Sequence, residues 1–270
     1  MGNVYILVRG GLGNQLFQGA LGIALEKATG CNVLYSSHSF VNDPYNRKYS
    51  LECFPCFAGK EEKNFERLVG TPVLNENNVS SFAEVVRYVQ NYNDIIIDGY
   101  WQKEEYFATA RDEIKKSFSV KNDDGIEAVA HRLRASDHIA VHVRRHDYGH
   151  HGLARMDYYR NSVKDIRATY GNIPVICFTD EFNFCSYEFR EIGNVQISRG
   201  DTRNPLLDFY LMGCCRHFVL ANSSFSWWAA WLNEEARSII YAPQPWCVFD
   251  LKINPAPGRW RNIDGAIQQA

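Results

Sequence analysis

The chain has 270 residues, of which 46% are apolar and 22% charged; 29 Lys and Arg face 31 Asp and Glu, for a formal net charge of -2. That length and composition suit one large or two modest globular domains with a sizeable core. The near balance of charge removes the global basic field that a nucleic-acid-coating or anionic-membrane protein needs, so a polyanionic ligand would have to be held by local arginines.

The first apolar run, Val4-Tyr5-Ile6-Leu7-Val8, reads as a strand over residues 3–8, and it leads directly into Arg9-Gly10-Gly11-Leu12-Gly13-Asn14. A helical pattern follows from Leu16 to about Gly30, giving a strand, tight turn, helix unit. Because the N-terminus carries no basic segment and no long apolar core, a cytoplasmic protein without a leader is the expectation. Apolar runs elsewhere are far short of the roughly 20 residues a membrane helix needs, which leaves at most peripheral membrane association.

A short strand at residues 32–35 is followed by an irregular stretch to about Gly59, a strand at 94–98, and helices over 103–117 and 126–134. A second series starts at His138. It comprises strand 138–143, helix 156–170, strands 173–178 and 195–197, helix 205–215, strand 217–221, helix 225–235 and strand 238–241. Alternation of this kind indicates parallel sheets built from βαβ units. The polar segment Lys121-Asn122-Asp123-Asp124-Gly125 separates the two series, and the division into lobes is set at 1–130 and 131–270.

Eight cysteines (31, 53, 56, 177, 185, 214, 215 and 247) are scattered along a chain too long to need a disulfide scaffold, so reduced thiols are expected. Cys53-Phe54-Pro55-Cys56 has redox spacing, and a cysteine-based oxidoreductase reading would require a low thiol pKa there.

Four constellations carry chemistry. The glycines Gly10, Gly11 and Gly13, with Asn14, either form a tight βα turn or let backbone approach a ligand at the head of a helix. The run His142-Val143-Arg144-Arg145-His146-Asp147-Tyr148 follows the apolar Ile139-Ala140-Val141. It is either a solvated strand end with a local ion pair or an anion site, since ligands of open parallel sheets bind beyond the carboxyl ends of strands and arginine grips phosphate bidentately. The third is Phe178-Thr179-Asp180-Glu181, where a carboxylate could accept paired N–H donors from a base or simply cap a helix. The fourth, Asn222-Ser223-Ser224-Phe225-Ser226-Trp227-Trp228, is a helix cap or a second phosphate-binding edge. No Asp-x-Asp pair and no carboxylate cage is present, so no metal is expected.

In this order, the four motifs resemble the bacterial α-1,2-fucosyltransferases and, more distantly, the α-1,6- and protein O-fucosyltransferases. The resemblance rests on Gly10-Gly11-Leu12-Gly13-Asn14-Gln15-Leu16-Phe17-Gln18, His142-Val143-Arg144-Arg145-x-Asp147-Tyr148, Phe178-Thr179-Asp180 and Asn222-Ser223-Ser224-Phe225-Ser226-Trp227-Trp228. It implies an α/β fold of the GT-B type, with two Rossmann-like lobes facing a cleft. The implied reaction is an inverting, metal-independent transfer of L-fucose from GDP-β-L-fucose to a glycan hydroxyl, in a free galactoside-containing oligosaccharide or a lipid-linked precursor.

Carried over by residue, the resemblance places His142 and Asp180 near the guanosine, Arg144 at the β-phosphate, and Ser223, Ser224, Phe225 and Ser226 along the phosphates. Gly11, Gly13 and Asn14 would lie near the donor sugar and the acceptor. Arg144, Arg145 and Asp147 are the expected catalytic residues; His146, His150, His151 and Asp147 remain open as bases for the acceptor hydroxyl. One departure is His146, where the family carries glycine, so the local turn could differ. A transferase for another sugar nucleotide and a non-catalytic nucleotide-sugar-binding protein are the alternatives.

Overall fold

A computed structural model describes residues 2–120, 124–146, 151–198, 205–251 and 253–269. The chain divides into two compact units, Met1–Val120 and Lys121–Ala270.

In the first unit β1 (Asn3–Leu7) leads through the glycine turn into α1 (Leu12–Thr29), then β2 (Asn32–Ser36), β3 (Glu61–Glu62), β4 (Val73–Asn75), α2 (Phe82–Asn91), β5 (Ile95–Asp98) and α3 (Arg111–Ser117). The sheet order is β3-β2-β1-β5-β4, parallel throughout. β1 and β5 are continuous apolar runs because both faces of a parallel sheet are covered. Val4, Ile6, Ile95 and Ile97 are all buried.

Helix α1 lies deep in this unit, and Gly22 permits its closest approach: a Cβ there would stand 2.2 Å from Tyr35 Oη. The helix stops at Gly30, which takes the left-handed φ of 68° and donates to Glu26 O. The stretch 103–117, expected as one helix, is instead two 3-10 turns followed by α3.

The second unit runs α4 (Asp124–Arg134), β6 (Ile139–Val143), β7 (Leu153–Ala154), α5 (Met156–Tyr170), β8 (Val175–Thr179), α6 (Phe182–Glu188), β9 (Val195–Ile197), α7 (Pro205–Gly213), β10 (His217–Val219), α8 (Ser224–Asn233), β11 (Ile240–Gln244), β12 (Arg261–Asp264) and β13 (Ile267–Gln268). Its main sheet has the order β12-β11-β10-β6-β8-β9 and is parallel. β13 and β7 form a separate antiparallel pair.

A division at residue 130 would cut through α4. Ala130 and Leu133 of that helix cluster with Cys214, against Ile176, Tyr210 and Leu211, so α4 is built into the second unit. Helix α8 is buried around Trp227, Trp228 and Trp231, and Gly213 lets α7 meet it closely, since a Cβ there would lie 2.3 Å from Asn233 Nδ2.

Candidate active site

In the second sheet β6 lies between β10 and β8. The register sets Val141 beside Val219 and Val143 beside Thr179. Strands about 4.8 Å apart therefore deliver three of the sequence constellations, those following residues 143, 179 and 219, side by side at one carboxyl edge.

Asp180 organises the first of them. Its Oδ2 forms an ion pair with the Arg144 guanidinium, Nε standing 3.1 Å away, and receives the His146 N–H at 3.3 Å, while Oδ1 receives the Arg145 N–H at 3.0 Å. The Arg144 side chain is 37% exposed. Its neighbour points elsewhere: the Arg145 guanidinium stacks over Phe184 of α6, 4.1 Å from the ring centroid. The described non-glycine residues with positive φ are Asn46, Trp101 and Asn194, so His146 occupies the family's glycine position in ordinary backbone geometry. Asp147 and His150 lie outside the described residues.

His142, one residue before the end of β6, is 6% exposed, and its ring centroid is 5.7 Å from that of Phe225. Burial, reinforced by the adjacent Arg144, lowers its pKa to about 3, so the imidazole is neutral at physiological pH. Its Nδ1 is buried without a hydrogen-bond partner among the described residues.

Beyond β10, Asn222 Nδ2 donates to Gly152 O at 3.1 Å, which ties the segment after His151 to this edge. Its Oδ1 is buried without a partner among the described residues. Ser223 occupies the N-cap of α8, yet its side chain makes no capping hydrogen bond. The first ladder bond is Trp227 N to Ser223 O, so the amides of Phe225 and Ser226 precede the intrahelical ladder in the first turn of the helix. Ser226 Oγ turns back to Ser223 O at 3.2 Å and is fully buried. From α7, Phe209 packs on Phe225 at 5.4 Å; the preceding Asp208, not singled out in the sequence, accepts from Ser198 Oγ at 3.2 Å.

The glycine constellation belongs to the first unit. Gly10 has φ 80°, and a Cβ there would sit 2.6 Å from Asn14 Nδ2; at Gly11 a Cβ would meet nothing within 4 Å. Gly13 is buried in α1. Asn14 Oδ1 accepts from Gln102 Nε2 at 2.7 Å.

Two glutamines brace the turn. Gln15 Nε2 donates to Gly10 O and Lys48 O, and Gln18 bridges Arg9 N to Gly99 O. Sequence reasoning missed the partners at this edge: Arg9 pairs with Asp98, and the segment after β5 carries Gly99 at φ 153° and Trp101 at φ 56°. The signal was available, because Ile95-Ile96-Ile97-Asp98-Gly99 is an apolar strand running into a polar glycine turn, as at β1.

Cys53 and Cys56 have thiols pushed up by burial, the reverse of what a redox pair needs. All eight cysteines are free. Among the described residues no cluster of three or more His, Cys, Asp or Glu has metal-binding geometry, and no helix is long and apolar enough to cross a membrane.

Two units, each built on a parallel sheet flanked by helices, make an α/β fold of the GT-B type. NodZ alpha-1,6-fucosyltransferase from Bradyrhizobium, as co-crystallized with GDP, shares this fold at TM-score 0.54 and 18% identity, over 90% of this chain and 96% of that one. POFUT1 in complex with GDP does so at TM-score 0.53 and 10% identity, over 88% and 98%.

Residues 80–248 match the model of glycosyl transferase family 11, and the chain belongs to that family. It is 26% identical to an alpha-1,2-colitosyltransferase of Escherichia coli, over 98% of this chain and all of that protein. To the E. coli O-antigen biosynthesis glycosyltransferase WbnK it is 24% identical, over 96% of this chain and all of the relative. Galactoside alpha-(1,2)-fucosyltransferase 2 of Sus scrofa matches over half of this chain and 45% of its own length, at 28% identity.

Proposed function

We propose that this protein is an inverting α-1,2-fucosyltransferase of the cytoplasm that moves L-fucose from GDP-β-L-fucose to a hydroxyl of a terminal β-galactoside, in a free oligosaccharide or a lipid-linked glycan. The observation that carries this reading is the gathering of Arg144, neutral His142, Phe225 and the first turn of α8 at one strand edge.

Transfer breaks the bond between the anomeric carbon and a diphosphate, so negative charge grows on GDP as the sugar becomes cationic. A guanidinium and helix-terminal amides set in advance around that charge are the groups the step needs, and one such donor is worth about 3–4 kcal/mol. They meet the phosphate charge without a divalent cation. His142 and Phe225 supply the apolar flank suited to a purine. Arg145, stacked on Phe184, supports α6 in this reading and leaves the phosphate contact to Arg144.

The relation to a colitosyltransferase favours a second reading, transfer of colitose, which is L-fucose without its 3-hydroxyl. A site that hydrogen-bonds a hydroxyl rejects the analogue lacking it by up to about 10⁴–10⁵, so the two donors are separable.

The test is GDP release from GDP-fucose in EDTA, with and without lactose, with Arg144→Ala as control and GDP-colitose as competing donor. Acceptor-dependent release that survives EDTA and is lost in the variant is expected. Release from GDP-colitose alone would replace fucose by colitose, and turnover by Arg144→Ala at the wild-type rate would refute the leaving-group site.

A further inference from the structure

We propose that Asp180 is a positioning residue for Arg144: its carboxylate fixes the turn Arg144-Arg145-His146 and the angle at which the Arg144 guanidinium meets the β-phosphate, and it does not read the base. The inference rests on the phosphate role assigned to Arg144 above.

An ionised carboxylate offers about four lone-pair sites. Two are taken by the Arg145 and His146 N–H groups, and Arg144 Nε stands 3.1 Å from Oδ2 as an ion-pair partner. A guanine edge presents two adjacent N–H donors and needs an open approach to both carboxylate oxygens, and Oδ2 already has two nitrogens within 3.3 Å.

The side chain is also held where this work requires it. Val143 and Thr179 are register partners, so the first residues past the two strands, Arg144 and Asp180, emerge beside each other with no reach to span. Thr179 Oγ1 accepts the Glu181 N–H at 3.0 Å and the Cys185 Sγ–H at 3.2 Å. These bonds pin the backbone on both sides of Asp180, although α6 has no side-chain N-cap of its own. An ion pair between the carboxylate and the Nε side of the guanidinium restricts where Arg144 can swing, and bidentate phosphate contact demands such a restricted direction.

GDP and GMP separate the two roles, because only GDP carries the β-phosphate. Binding of both is measured by calorimetry to the wild type, Arg144→Ala, Asp180→Asn, Asp180→Glu and the Arg144→Ala/Asp180→Asn double variant. In Asp180→Asn an amide NH₂ must face at least one N–H donor of the turn, whichever way it is flipped.

The expected result is a loss of GDP affinity on the order of 10- to 100-fold, the range found for partners that orient a directly binding group, with GMP affinity unchanged. The double variant binds GDP no more weakly than Arg144→Ala. The wild-type preference for GDP over IDP, which lacks the 2-amino group, is retained. Asp180→Glu keeps the charge but displaces it, and it reports the same GDP-specific loss should the Asn variant not fold.

Equal losses of GDP and GMP in the Asp180 variants, or a collapsed preference for GDP over IDP, would make Asp180 a base reader and overturn the proposal; so would unchanged GDP binding. Equal losses in Arg144→Ala alone would instead refute the phosphate assignment beneath it.

Discussion

His217, the first residue of β10, makes the stability of the second unit depend on pH in a way that can be worked out in advance. It is fully buried and packs on Tyr170 at 4.3 Å. Its Nδ1 accepts the Ile239 N–H at 3.1 Å, which requires the neutral ring with its proton on Nε2. Burial lowers its pKa to about 4, against the opposing pull of Asp137 and with help from Arg216 and Arg237.

Unfolded, the ring returns to about 6.5, so between pH 6.5 and 4 the unfolded chain binds more protons than the folded one. Stability therefore falls as pH falls through that window, by up to about 1.4 kcal/mol per unit and about 3 kcal/mol in all. His142, with its pKa lowered to about 3, adds a second contribution of the same sign, so the wild-type slope reaches about twice that of one histidine.

His217→Asn keeps an oxygen acceptor near the Nδ1 position and removes the titration. It loses the ring contact with Tyr170 and is expected to be less stable at pH 7.5 by about 1–3 kcal/mol. Between pH 6.5 and 5, however, it should lose about 2 kcal/mol less than the wild type does. Urea unfolding followed by tryptophan fluorescence measures this directly, because Trp227, Trp228, Trp231, Trp246 and Trp260 all lie in the second unit and only Trp101 in the first. Wild-type and variant stabilities that fall in parallel with pH would show that His217 does not titrate as argued.

Two further outcomes follow from the sites. Arg144→Lys should lower kcat/KM for GDP-fucose by on the order of 10² or more, because one ammonium cannot both hold Asp180 at the Nε position and grip phosphate bidentately; recovery to within a few-fold of wild type in initial-rate assays would contradict that geometry. Gly10→Ala puts a Cβ into Asn14 at a φ of 80°, a strain of roughly 1–2 kcal/mol that displaces the Asn14–Gln102 bond. Its expected signature is reduced transfer with undiminished GDP binding, read by turnover and calorimetry on the same sample.

The architecture was legible wherever burial left an unbroken apolar run. Ile139-Ala140-Val141 announced β6, and every residue of that strand is buried. What stayed hidden had little apolar surface to show. Helix α2 buries only Val85 and Val89, although Ser81 capping Glu84 N was a readable start signal. β3 has two residues and β4 three, too few for a period to register.

The site residues were legible by type and not by duty. Adjacent arginines leave a strand end on opposite sides, and no pattern in the sequence says that Arg145 meets Phe184 while Arg144 meets Asp180. Nor does a Thr-Asp-Glu run tell whether the N–H groups its carboxylate meets belong to a base or to the neighbouring strand. That depends on register, which is fixed by the whole sheet.

Register also bears on how Arg144 would act at the proposed leaving-group site. A flexible guanidinium would have to be ordered as charge develops, and that ordering would be subtracted from the stabilisation it gives. Here the ordering is done during folding: parallel pairing sets Val143 against Thr179, the carboxylate that follows forms an ion pair with the Arg144 guanidinium, and the first turn of α8 starts beyond the next strand over. The neutral His142 fits the same logic. A charged imidazole beside Arg144 would be repelled by it and would need solvent that its own burial excludes, and that burial keeps the ring uncharged across the range in which a diphosphate is fully ionised. Between His142 and Arg144 the positive charge therefore lies on Arg144, which pairs with the carboxylate that register sets beside it.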